Sequence, residues 1–355
     1  MNWFKKISFF LLALVSFSCS DEPLEGYSAT PNPLNIPELF SNTIIPPVIP
    51  LNNPQTVEGV ALGRKLFFDP ILSSDNMVSC ATCHAPSLAF TDARVNSIGV
   101  NGATGQRNSM PLFNLAWNYD ERFAWDGKEL SLERQVFEPV RNPEEMNSNW
   151  VQLVNELQNH PEYPQLFNKA FGTTNIDSVL VAQAIAQFER TLISADSKFD
   201  RYSLGLEELT DQELSGLDVF LSEEKGDCFH CHGNPNNPLW TNNSFHNNAL
   251  DATFTDLGLG AITGDPSDNG KFKTPSLRNL SFTAPYMHDG RFQSIDEVIE
   301  FYSTGLQNSP TVDPLMKKVD EGGVNLTTQQ KEDLKAFLLT LNDESFITNL
   351  DFTNQ

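Results

Sequence analysis

Basic residues are scarce in this chain. Its 23 lysines and arginines stand against 46 aspartates and glutamates, a formal charge of -23 over 355 residues. So acidic a surface repels a phosphate backbone, which excludes nucleic acid as a partner and favours encounter with a basic one. Cysteine is nearly missing too. Four of the five cysteines fall in two short motifs, so no pair remains for an internal disulfide. Long apolar runs are absent: Ile7 to Phe17 is too short to span a bilayer. Alternating strand patterns are few, which argues against a β fold.

The apolar run follows Lys5-Lys6 and precedes Ser18-Cys19-Ser20-Asp21, so residues 1–18 read as a signal peptide. Cys19 then stands where cleavage would expose a thiol for lipid attachment. Phe17 occupies a place where a small residue is usual, and ordinary secretion with a free Cys19 is the alternative. Residues 19–50 are rich in Pro, Asn and Ser and read as a tether, making a lipid anchor the only expected contact with a membrane.

What is present is concentrated in Cys80-Ala81-Thr82-Cys83-His84 and again in Cys228-Phe229-His230-Cys231-His232. Two thiols three positions apart followed by an imidazole form a c-type haem attachment motif. Each thiol adds across a vinyl group, and His84 or His232 becomes the proximal iron ligand. A shared zinc site would need compact spacing, whereas these pairs begin at residues 80 and 228. A thioredoxin-like pair would need a βαβ setting, and none is visible.

The rest of the chain repeats one plan. A helical pattern from Thr56 stops at Pro70, and a loop leads to Cys80. Ser178 to Leu192 is an amphipathic helix that closes the first half. Thr210-Asp211-Gln212-Glu213 is a capping box opening a helix before Cys228, and Thr327-Thr328-Gln329-Gln330 opens the last one. The expected fold is all-α: two cytochrome c-like helical domains at 51–205 and 206–345, each with one covalent c-type haem and long irregular loops, then a tail at 346–355. The irregular part of the first half is too rich in aromatics to be disordered.

"RNSMPLFNLAWN", "FAWDG", "SLERQ", "NPEEM", "FERTL", "SKFDRY", "FKTPSLRN" and "APYMHDGRF" resemble the bacterial dihaem cytochrome c peroxidase family, which includes MauG, over residues 55 to 342. The resemblance implies a peroxidase that reduces hydrogen peroxide at the N-terminal haem. Electrons would come from a small redox protein, a cytochrome c or a cupredoxin, in the periplasm or at the cell surface. It implies Trp125 between the haems, and a calcium ion held by the Asn108 side chain and the carbonyls of Thr283 and Pro285. It also implies Glu145 as the proton relay, Gln135 positioning peroxide, Pro139 shaping the pocket and Glu144 as the rival carboxylate. A homodimer is a common assembly in the family.

Two positions depart from the peroxidase pattern. Where some members carry a histidine that closes the peroxidatic iron, this chain has Val100, so an open five-coordinate iron is expected. Where peroxidases carry a methionine ligand to the second haem, it has Tyr302, as MauG has a tyrosine; Met287 is the rival ligand. Both favour the alternative, a MauG-like enzyme that uses peroxide to oxidise a protein or small molecule. A plain electron carrier would have no need of Gln135 and Glu145.

Overall fold

The computed structural model describes residues 27–354, and the signal peptide and Cys19 lie outside them. The described chain is rich in helix, and its β structure is limited to the two-residue strands Phe245–His246 and Phe272–Lys273, paired antiparallel, with a few isolated bridges. No helix among the described residues is long and apolar enough to cross a membrane.

Each half is built on one crossed pair of helices. In the first, Val57–Phe68 is capped by the Thr56 side chain and packs against Ser178–Arg190. The helices can meet because Gly63 has no side chain: a Cβ there would lie 1.8 Å from the Ala184 carbonyl oxygen. The second half repeats the device. Asp211–Leu221 and Thr328–Leu339 both open with the capping boxes expected at Thr210 and Thr327. They cross at Gly216, where a Cβ would lie 1.9 Å from the Asp333 carbonyl oxygen.

Two apolar cores form around these pairs and a smaller one around Trp117, and all three bear on the expected boundaries. The first core runs from Leu62 to Leu192 and also takes in Phe346 and Phe352. Residues 346–354 are therefore not a loose tail. Their rings lie against Phe90, with centroids 5.7 Å and 6.4 Å away, because Phe90 leaves an apolar face that the first half does not cover. The second core begins at Phe199, which stacks edge-on against Trp240 at 5.1 Å. Packing thus divides the chain between Leu192 and Phe199, earlier than the expected 205/206. Finally, residues 27–50 are docked rather than free. Glu38–Thr43 is a helix whose Phe40 is fully buried on Trp117 at 5.1 Å, and the Val48 N–H donates to the Ala116 carbonyl (2.7 Å). Leu39 and Phe40 gain more from burial than the Pro- and Asn-rich surroundings suggest.

A buried ion pair in the second half reaches back to the boundary segment at Ser194. Arg278 is fully buried; its guanidinium grips Asp200 and donates to the Pro238 carbonyl (2.8 Å) and the Ser194 hydroxyl (3.3 Å). Asp200→Ala leaves that cation with neutral acceptors only, and the expected loss is about 3–5 kcal/mol. Denaturant unfolding of the two proteins measures it; coincident midpoints with equal slopes would refute the role given to this pair.

Candidate active site

Cys80–Cys83 is one turn of helix, opened by a capping box between Ser79 and Thr82. His84 follows at its end, and its Nδ1 lies 2.8 Å from the Phe90 carbonyl oxygen. A carbonyl only accepts, so Nδ1 carries the proton and Nε2 is left with its lone pair for a metal. The Ser109 hydroxyl donates to the Cys83 carbonyl (2.8 Å) and sits 3.3 Å from Nδ1, tying the same loop down. Burial lowers the His84 pKa.

These residues line a cavity of about 680 Å³, within the range of pockets that take a large organic ligand. Gln135, Pro139, Glu144 and Glu145 line it as well, and His84 is the only imidazole in its wall. Gln135 presents a buried amide oxygen with no protein partner. Glu145 is half-buried, and lost hydration raises its pKa, opposed by the hydrogen bond from Asn142 Nδ2 to its Oε1 (2.7 Å). Asn142 Oδ1 accepts from the Glu144 N–H (3.0 Å), so one amide sets the turn that carries both carboxylates.

Val100 does not face this cavity. It belongs to the first core and its N–H donates to the Glu145 carbonyl (2.8 Å). Gly99 makes that approach possible, since a Cβ would lie 2.2 Å from the Glu144 carbonyl oxygen. His160 packs against Tyr163 and lines no part of the cavity.

The second motif lines a narrower cavity of about 230 Å³, with Cys228, Cys231, His232, Met287 and Tyr302 in its wall. Burial pushes the His232 pKa down to about 4, against the carbonyls of Pro275 and Trp240, although its Nδ1 makes no hydrogen bond of good geometry. Asn248 Nδ2 donates to the Tyr302 hydroxyl (3.0 Å) and lies 3.7 Å from Met287 Sδ, so the two rival ligands share one amide. Burial pushes Tyr302 up to about 12, and the Asn248 bond acts the other way.

Trp125 lines both cavities and is therefore part of the wall between them. It is buried, and its Nε1 donates to the Asn108 carbonyl (2.8 Å). Asn108 lines both cavities too, whereas Thr283 and Pro285 line the second.

Comparison with known proteins shows the family. Residues 57–208 match the family model for the di-haem cytochrome c peroxidases. The methylamine utilization protein MauG of Methylorubrum extorquens is 39% identical over 305 residues, which are 83% of this chain and 81% of that protein. Cytochrome-c peroxidase IdrP1 of a Pseudomonas species (strain SCT) is 33% identical over 331 residues, 84% of each chain.

This chain belongs to the dihaem cytochrome c peroxidase family.

It is an oxidoreductase, and membership brings two c-type haems. Among solved structures, a MauG-like protein associated with microbial copper homeostasis superposes with a TM-score of 0.80 at 34% identity, covering 90% of this chain and 98% of that one. The lone imidazole, the orphan amide oxygen and the paired thiols of the first cavity are a donor set that fits a c-type haem. The second cavity is tighter; its wall also carries two thiols and His232, with His246, His288, Tyr302 and Met287 as further polar or sulfur groups.

Sequence reading missed two members of these walls. Glu189 is buried in the first cavity, and its Oε2 has no partner. No signal in the sequence marks it, since Gln187 and Arg190 share the buried face of the same amphipathic helix. Lys273 is buried in the wall shared by the cavities. Desolvation pushes the Glu189 pKa up to about 8, opposed by Arg190. Between the ordinary carboxyl value and about 8 the folded chain keeps a proton that the unfolded chain releases, so stability falls as pH rises through that window. Glu189→Gln should remove roughly 1 kcal/mol of loss per pH unit there. Unfolding midpoints measured from pH 5 to pH 8 should be flatter in the variant; parallel curves would show that Glu189 is ionised throughout.

Proposed function

We propose that this protein reduces hydrogen peroxide to water at the first cavity, drawing electrons from an external redox protein through the second. The reading rests most on one observation: a half-buried carboxyl with a raised pKa and an unpartnered amide oxygen share a cavity whose only imidazole is His84.

Cys80 and Cys83 would hold one haem covalently with His84 on its iron, and Cys228 and Cys231 the other with His232. When bound, a haem with one open position supplies the electrons that split the O–O bond. The chain supplies the proton handling. Glu145 takes the proton from one peroxide oxygen and returns it to the other, which then leaves as water. Its raised pKa suits both halves of that exchange. Gln135 holds the peroxide by its amide, and Pro139 narrows the space beside it. Trp125, in the common wall, is the route by which electrons cross from the second half to the first.

A calcium ion at Asn108, Thr283 and Pro285 belongs to the same proposal. Asn108 Nδ2 donates to the Arg94 carbonyl (2.7 Å), which leaves its amide oxygen for a cation. Among the described residues no group of three or more His, Cys, Asp or Glu could hold a metal, so such a site would use amide and carbonyl oxygens and water. Export, a lipid at Cys19, a homodimer and a cytochrome or cupredoxin donor complete the proposed setting.

One observation favours the MauG-like reading as the second. The Asn248 donor at the Tyr302 oxygen works against the upward push of burial and so favours a phenolate, which as a ligand favours higher iron oxidation states. Tyr302→Phe should alter the optical spectrum of the second haem and raise its midpoint potential, while Met287→Leu leaves both unchanged. The opposite pattern would make Met287 the ligand.

Turnover of peroxide with a reduced small cytochrome tests the main reading. Glu145→Gln should lower kcat/KM for peroxide by roughly 100-fold or more, and Glu144→Gln should stay near the parent value. Near-normal turnover of Glu145→Gln would remove it from the relay.

A further inference from the structure

The two cavities are lined by several cations, and nearly all of them are already neutralised. Arg107 is held by Asp126 and Asp256, Lys128 by Glu138, Lys317 by Glu223 and Asp227, and Lys318 by Glu321. Lys273 is the exception. It lines both cavities and is 6% exposed, yet no carboxylate of the described residues pairs with it. Its Nζ donates to Asn118 Oδ1 (3.1 Å) and the Asn243 carbonyl (2.8 Å), and it lies 5.5 Å from the centre of the Phe245 ring.

An ammonium has three donors, and two are used. Placing a cation out of water without an opposite charge is expensive, and proteins rarely leave one so. Burial pushes the Lys273 pKa down to about 8, and the field of Asp120 offsets this only in part. The lysine is also fixed in place. Residue 273 is paired with Phe245 in the short ladder, and its N–H donates to the Trp125 carbonyl (2.9 Å).

We propose that Lys273 binds a carboxylate of a haem held in one of the two cavities it lines, and so ties that haem to the Trp125 wall. The inference rests on both cavities holding haem. The third ammonium donor is the contact, and the haem carboxylate is the missing counter-charge. Lys273 is thereby a cofactor-positioning residue whose charge also acts on the iron: a nearby cation favours the reduced, less positive state.

Redox titration of the purified two-haem protein tests this, with Lys273→Met, Lys273→Gln and Lys273→Arg beside the parent. Gln keeps a donor for Asn118 and Asn243, so it separates lost charge from lost packing. The neutral variants should show a lower midpoint potential at the contacted haem, and Arg should keep the parent value. The haem that moves further identifies whose carboxylate is bound. A Lys273→Met protein that holds less haem than Lys273→Arg supports the same contact. Parent-like potentials at both haems in Met and Gln, or an Arg variant displaced as far as Met, would overturn it. Fewer than two haems in the parent would instead refute the functional reading on which it rests.

Discussion

A carboxyl group drawn out of bulk water is the constraint on which the first cavity turns. Glu145 keeps its proton more readily than an exposed glutamate because its surroundings solvate the anion poorly. Asn142 restrains that tendency without cancelling it, and the same amide shapes the turn through the Glu144 N–H. Gly99 and Val100 hold the other side of the turn, by close approach and by a hydrogen bond to the Glu145 carbonyl. The segment around Val100 is thus a brace beneath the turn that carries Glu145.

The proximal side is braced from further away. Phe90 gives its carbonyl to His84 and its ring to a cluster that includes Phe346 and Phe352 from the far end of the chain. The last residues thus pack onto the loop that orients the first imidazole. Arg278 and Asp200 pair inside the second half beside the boundary segment at Ser194, and Lys273 and Trp125 stand together in the wall between the cavities. The Lys273 N–H to Trp125 carbonyl bond thus links the halves at a buried point.

How much of this could be read from the residues depended on how local each feature is. The two Cys-x-x-Cys-His motifs are each written in five consecutive positions, and the helices opening at Thr210 and Thr327 carry their caps beside them. The roles of Glu145, Gln135 and Trp125 came through resemblance, since nothing in their spacing brings residues 125, 135 and 145 to one cavity. Tertiary features were hidden. The composition of residues 27–50 suggests a tether, but two apolar side chains, Leu39 and Phe40, suffice to dock it. Phe346 and Phe352 looked like the end of a tail because their partner, Phe90, is far away in sequence. Glu189 and Lys273 became visible only when burial showed which charges lack partners.

An iron in the first half with one protein ligand and a vacant face underlies the proposed activity, because peroxide needs a place to bind before Glu145 can act on it. Electron paramagnetic resonance of the ferric protein as isolated tests this most directly. A high-spin signal that disappears on adding hydrogen peroxide, without prior reduction, is the expected result. Two low-spin haems, each held by two side chains and inert to peroxide, would contradict it.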